Sequence, residues 1–185
     1  MMARPGSLII FCVSGLVLLL ILIAWLMPGD LELHVTLVKE KKSVLVLPLK
    51  PRERFTIHYY HSVENAPIWE EHSLDEKGKL YIEEERYEKF GAGMGKMPGV
   101  GRMVKKGKYE AITDMHMPVG DFILRVGSPG VDHTIIWRNK RFNLSDTIAH
   151  KAVKFSGKQR SMLYQIWRSF RVSDQQDNPY KIGKK

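Results

Sequence analysis

RFTIHYYHSVENAPIWEEHSL, residues 54 to 74, is the stretch whose reading decides the fold. Two runs of alternating apolar and polar residues, RFTIHYYH from Arg54 and IWEEHSL from Ile68, flank a short polar connection. Alternation of period two is the pattern of a half-buried strand, and so brief a connection between two such runs reads as a hairpin. Pairing about that turn is expected to bring Glu70 and Glu71 opposite the stretch from His58 to Tyr60, because cross-strand neighbours on one face stand about 5 Å apart.

The same pattern extends in both directions. LELHVTLV from Leu31 and SVLVLPL from Ser43 precede the hairpin; KLYIEEERY from Lys79, YEAITDMHM from Tyr109, DFILRV from Asp121, TIIWR from Thr134 and RFNLS from Arg141 follow it. Turn residues punctuate the series at Glu76-Lys77-Gly78, Ser128-Pro129-Gly130 and Asn139-Lys140. Strands in close succession, each with one apolar face, predict an all-β antiparallel sandwich or partly open barrel rather than a parallel sheet with crossover helices. Residues 30–155 are therefore expected to form one globular domain, a usual size for a single core. The acidic run Glu83, Glu84, Glu85 and Glu88 is expected on a solvent-facing strand with salt-bridge partners.

Ahead of the domain, Leu8 to Met27 run for 20 residues without a charge. At about 1.5 Å per residue such a helix spans a hydrocarbon core of about 30 Å. A cleaved signal peptide has a shorter apolar region, about 7 to 15 residues, followed by an A-x-A-like site, and neither feature occurs here. Residues 1–29 are thus expected to be a flank and a retained transmembrane anchor, ended sharply by Pro28-Gly29. Charges beside the span do not fix its orientation. A signal-anchor with its short N-terminus inside would make this a single-pass protein of a bacterial cytoplasmic membrane, with the domain outside the cytoplasm.

Of 185 residues, 29 are Lys or Arg and 20 are Asp or Glu, for a formal charge of +9. Residues 30–150 hold 19 basic against 18 acidic side chains, whereas 151–185 hold 9 against 2. The balanced domain lacks the basic footprint of a nucleic-acid binder. A single cysteine, Cys12, excludes an intramolecular disulfide.

Chemistry has few footholds. His61, Glu64, Glu70 and Glu71 offer nitrogen and oxygen donors for a divalent metal, but without a thiolate pair or an H-E-x-x-H helix the stretch reads instead as a patch of mutually hydrogen-bonded His, Tyr and Glu. His61 and Ser62, adjacent on a strand, would project to opposite faces and could not share a proton. GAGMGKMPGVG, from Gly91 to Gly101, resembles a phosphate loop only superficially: Met97 follows Lys96 where a Ser or Thr is required, and Lys96 stands where G-x-G-x-x-G needs its third glycine. A turn or bulge in which glycine permits positive φ accounts for it. No enzyme class and no cofactor is expected.

Towards the C-terminus, Ser156 and Gln159 have the spacing of a capping box, which predicts a helix over 156–172. Met162, Leu163, Ile166, Trp167 and Phe170 recur at helical spacing along one side, with Arg160, Arg168 and Arg171 on the rest. This basic amphipathic design suits an anionic membrane surface or a partner, or packing on the domain. Residues 173–185 are polar and expected to be disordered.

YHSVENAPIWEEHSL, followed by FGAGM, resembles the signature of a bacterial family of domains of unknown function, number eighteen-fifty. The resemblance covers about Leu31 to Phe155 and carries over His61, Ser62, Val63, Glu64, Pro67, Glu70 and Glu71, then Gly91, Ala92 and Gly93. It implies a gene neighbourhood with TAXI-type TRAP transporters, which import organic acids through an extracytoplasmic solute-binding protein and a membrane permease. A non-enzymatic accessory subunit contacting that permease and binding protein is the function expected from it, through association rather than mechanism.

Overall fold

Alternating apolar side chains bury one face of most strands, and in this chain two antiparallel sheets close over those faces. The structure is a computed structural model that describes residues 5–88 and 99–172, with side chains for 11–88 and 99–167. The elements run α1 (Pro5–Leu26), β1 (Pro28–Leu37), β2 (Ser43–Leu49), β3 (Phe55–Tyr60), β4 (Pro67–Leu74), β5 (Leu80–Tyr87), β6 (Arg102–Lys106) and β7 (Tyr109–Thr113). They continue with β8 (Met117–Pro118), β9 (Phe122–Arg125), β10 (Thr134–Trp137), β11 (Lys140–Asn143), α2 (Ser145–Ile148), β12 (Ala152–Ser161) and α3 (Met162–Val172).

The smaller sheet has the order β2-β1-β12-β9, and the larger has β11-β10-β3-β4-β5-β7-β6 with β8 on β5. Their inner faces share one core: Leu33, Val35, Leu47, Val153 and Phe155 from the small sheet meet Phe55, Ile57, Leu74, Leu80 and Ile135 from the large one. All ten are essentially inaccessible to water, which supplies the main stabilisation of a sandwich. A second small cluster, Ile68, Tyr87 and Ile112, lies farther along the large sheet.

By its contacts the chain divides into two units, one of which is the sandwich, Leu31–Lys158. The other joins α1 to the segment from Gln159, and there Met162 N donates to Met27 O at 3.0 Å. Among the described residues no helix is long and apolar enough to cross a membrane.

Several expectations are corrected. Ser156 and Gln159 form no helix cap; both lie in β12, and α3 begins six residues later than Ser156, at Met162, where the Ser161 hydroxyl accepts from Tyr164 N at 3.3 Å. Arg160 consequently belongs to a strand. The strand persists because Gly157 lies flat on the turn after β4: a Cβ there would stand 2.0 Å from Gly78 O. The β10–β11 turn is Arg138-Asn139, both residues left-handed (φ +46° and +62°), one position earlier than expected. Such a two-residue turn matches the twist of paired strands. β6 and β12 carry no strong alternation and were not foreseen as strands.

Candidate functional site

The hairpin of β3 and β4 pairs Thr56 with Glu71, Ile57 with Glu70, His58 with Trp69 and Tyr60 with Pro67. The expected placement of Glu70 and Glu71 across from His58 to Tyr60 is therefore displaced along the strand. His61, Ser62 and Glu64 lie in neither strand but in the connecting turn, where His61 N donates to Ala66 O and Glu64 N donates to His61 Nδ1 at 3.2 Å. Asn65 takes φ +46° to close the turn, a conformation Asn tolerates better than most residues. His61 thus organises its own loop, and Val63 projects from the tip, 74% exposed.

Glu70 and Glu71, adjacent on one strand, face opposite ways. Glu70 points inward, beside the core. Tyr59 donates its hydroxyl proton to Glu70 Oε1 at 2.8 Å, and His72 Nε2 lies 3.3 Å from Oε2. His72 is itself stacked between Phe55 and Phe122, at 5.5 Å from each, and its Nδ1 is buried with no hydrogen-bond partner among the described residues. Tyr59 stacks on His133 at 5.0 Å, and His133 Nδ1 accepts from Gly127 N, which leaves any ring proton of the neutral form on Nε2.

Opposite Glu70 across the β4–β5 pair stands Glu85, which accepts a hydrogen bond from the Tyr87 hydroxyl. The two carboxyls have opposed tendencies. Burial pushes Glu70 up, but the bonds from His72 and Tyr59 prevail and hold it below the usual carboxylate range. Burial pushes Glu85 up, the bond from Tyr87 opposes this, and the nearby Glu70 charge adds to the rise, so Glu85 lies above that range. Burial also raises the Tyr59 and Tyr87 hydroxyls and depresses His133. Facing carboxyls with divergent affinities for a proton are the usual raw material of acid–base sites, although they also arise in buried hydrogen-bond networks.

Glu71 faces outward into an ion-pair network: Arg54 at 2.7 Å and Arg86 at 2.6 Å hold Glu71, while Arg86 and Lys106 reach Glu84 at 3.2 and 2.8 Å. The acidic run is accordingly not a solvated edge. Glu83 and Glu84 are buried, and Glu83 is bonded by Ser73 at 2.6 Å and His116. A bulge between Glu71 and His72 explains the change: β5 carries Glu83 as an extra residue, so consecutive glutamates do not simply alternate.

On the same outer face His58, Trp69 and Tyr109 form an aromatic row, with ring centroids 5.1 and 5.0 Å apart, and Tyr60 sits edge-on to His58 at 5.4 Å.

Of the residues singled out in the sequence, Glu70 alone enters the buried cluster. Glu71 joins the outer network, His61, Ser62 and Glu64 lie in the turn, and Pro67 opens β4 opposite Tyr60. Among the described residues no group of three or more His, Cys, Asp or Glu is placed to hold a metal ion. Gly91 and Gly93 lie outside the described residues. On α3, Met162, Ile166 and Trp167 are exposed while Leu163 is half-buried; the side chains of Arg168, Phe170 and Arg171 lie outside the described residues. Glu85, Tyr87 and His133 are additions that the sequence reading lacks, whereas Tyr59 lies in the stretch expected beside Glu70. The parity shared by Glu85 and Tyr87 on one strand was the available signal, but it does not say which neighbour they meet.

No curated protein and no solved structure matches the chain. Residues 55–144 match the model of a family described as Domain of unknown function (DUF1850), a narrower span than the expected Leu31 to Phe155. Through this segment, from β3 to the end of the β11 hairpin, the chain is similar to the DUF1850 family of domains of unknown function.

Proposed function

We propose that this protein is a membrane-anchored, non-enzymatic accessory subunit of a TAXI-type TRAP transport system. The carrying observation is the outer surface of the β3–β4 hairpin: Val63 stands 74% exposed at a hydrogen-bonded turn tip, beside Tyr60 at 37%. Behind them lie Trp69, Tyr109 and Arg86. Aromatic residues and Arg are the types enriched at protein contacts, and a turn fixed by its own backbone loses little entropy on docking. The partners are the TRAP permease and the TAXI-type solute-binding protein.

Support for the anchor comes from α1, 22 residues without a charged side chain, whose large apolar side chains from Phe11, at 74%, to Leu26, at 66%, are exposed. An apolar surface of that kind calls for an apolar surrounding. The basic amphipathic α3 supplies a second contact with an anionic membrane surface or a partner. The sandwich faces the extracytoplasmic side, and the tether raises its effective concentration beside the permease.

Crosslinking in native membranes followed by gentle solubilisation and pull-down is the test. Recovery of permease or binding protein, lost on Val63→Glu, is the expected result; recovery of neither refutes the reading. Extraction of the chain by alkaline carbonate would refute the anchor separately. The competing reading, a tethered domain binding a divalent metal or small anion through His61, Glu64, Glu70 and Glu71, gains nothing from a geometry that divides these residues among a turn and two faces. A chelator that lowers the melting temperature would revive its metal form.

A further inference from the structure

The β1–β2 turn, the end of β9 and the start of β12 line a pocket of about 400 Å³, within the size range of small-molecule sites. Its lining consists of Val38, Lys39, Glu40, Arg125, His150, Lys151 and Ala152. Three permanent cations therefore face one carboxylate, and that carboxylate is already engaged, Lys151 Nζ lying 2.9 Å from Glu40 Oε1. Lys39 and Arg125 make no ion pair among the described residues.

The floor is fixed by backbone bonds rather than by side chains. His150 N donates to Val126 O at 2.8 Å and Val126 N donates to Lys151 O at 2.9 Å, a reciprocal clamp between the two strands' ends. Val38 N donates to Ala152 O at 3.0 Å and Leu37 N to Lys42 O at 2.8 Å, which secures the third wall. His150 is held at φ +64° in the process. A non-glycine residue kept in the left-handed region costs of order 1 kcal/mol and persists where its surroundings over-determine it.

We propose that this pocket binds a small oxyanion, a dicarboxylate or a phosphate group, with Arg125 as the planar fork and Lys39 as a second cation. A guanidinium that has no carboxylate of its own presents paired N–H donors to two oxygens at once. Backbone positions pinned by these bonds leave only the exposed side chains to be ordered on binding. Glu40 is held by Lys151, which leaves the charges of Lys39 and Arg125 to meet the anion. The site stands independently of the membrane anchor and of the transporter partnership.

The full chain in neutral detergent would be titrated with sodium phosphate and with disodium succinate, against sodium chloride of matched ionic strength, with melting temperature and calorimetry as readouts. The expected result is a saturable rise in melting temperature with at least one oxyanion, weakened about tenfold or more in Kd by Arg125→Ala and unchanged by Lys77→Ala in the exposed turn before β5. A parallel arm measures flotation with phosphatidylglycerol vesicles and with phosphatidylcholine vesicles. An Arg125-dependent gain confined to phosphatidylglycerol would assign the phosphate to a lipid headgroup and support the site. An equal effect of chloride, or binding in both arms that Arg125→Ala leaves unchanged, overturns the proposal.

Discussion

Replacing each of the two facing carboxyls, Glu70 and Glu85, by glutamine is expected to change stability in opposite directions. Glu70 accepts from Tyr59 and lies beside His72, with its side chain 25% exposed. A hydrogen bond to an ionised group contributes about 1.5–3 kcal/mol. The amide oxygen of glutamine keeps part of the bond to Tyr59, so Glu70→Gln is expected to cost about 1–2 kcal/mol at pH 7. Glu85 holds a charge that burial and Glu70 both disfavour, so Glu85→Gln is expected to stabilise at the same pH. The pH dependence follows by linkage. Glu70 has a folded-state pKa below its ordinary value of 4.5; its stabilisation is complete above that value and disappears as pH falls through the folded pKa. Glu85 is raised above 4.5; the cost of its charge is present above the folded pKa and disappears as pH falls towards 4.5. Urea unfolding of the full chain in mild detergent, followed by tryptophan fluorescence between pH 3.5 and 7.5, measures both differences. Two variants of the same sign at pH 7, or a Glu70→Gln deficit that is undiminished at pH 3.5, would refute the reasoning.

Other perturbations test the fold. Gly157→Ala sets a Cβ 2.0 Å from Gly78 O and 2.5 Å from a Leu74 methyl; a backbone atom gives way poorly, and a loss of about 1–3 kcal/mol in thermal unfolding is expected. Arg86→Met removes the shared partner of Glu71 and Glu84. Lys106 still reaches the buried Glu84, and the Arg86 side chain is 31% exposed, so the deficit in chemical denaturation is expected near 1–2 kcal/mol rather than the larger cost of a fully buried pair. His133→Phe keeps the stack on Tyr59 but leaves Gly127 N without its acceptor; a loss of about 1 kcal/mol or more is expected. Because burial depresses His133 below its ordinary value of 6.5, its neutral form is favoured on folding. Stability is therefore lost as pH falls from 6.5 through the folded pKa, and His133→Phe should flatten that decline in acid titrations monitored by circular dichroism.

The family match and the sandwich do not coincide, and the difference has a structural consequence. Residues 55–144 supply every strand of the large sheet but only β9 of the small one. Leu31, Leu33, Val35, Leu45, Leu47, Val153 and Phe155, all in the shared core, come from outside the match. The matched segment alone would leave the inner face of its sheet largely uncovered, so chain on either side of it completes the domain in this protein.

Sequence by itself determined the antiparallel β class, nine of the strand positions, the hairpin turn and the charge-free helical stretch near the start. Each depends on a periodicity or a turn residue within a few positions, and such local signals survive without knowledge of the fold. Tertiary structure alone decided what the chemistry-bearing residues face. One residue of register places Glu70 against Tyr59 and His72 while Glu71 meets two arginines, and a bulge at Glu83 buries glutamates that alternation leaves in solvent. Close approach of Gly157 to Gly78 carries β12 through a stretch that reads locally as a helix start. The basic pocket gathers Lys39, Arg125 and Lys151 from three separate segments. Pairing register, burial and charge proximity arise between residues distant in sequence, so composition and spacing along one strand do not encode them in a form that can be read.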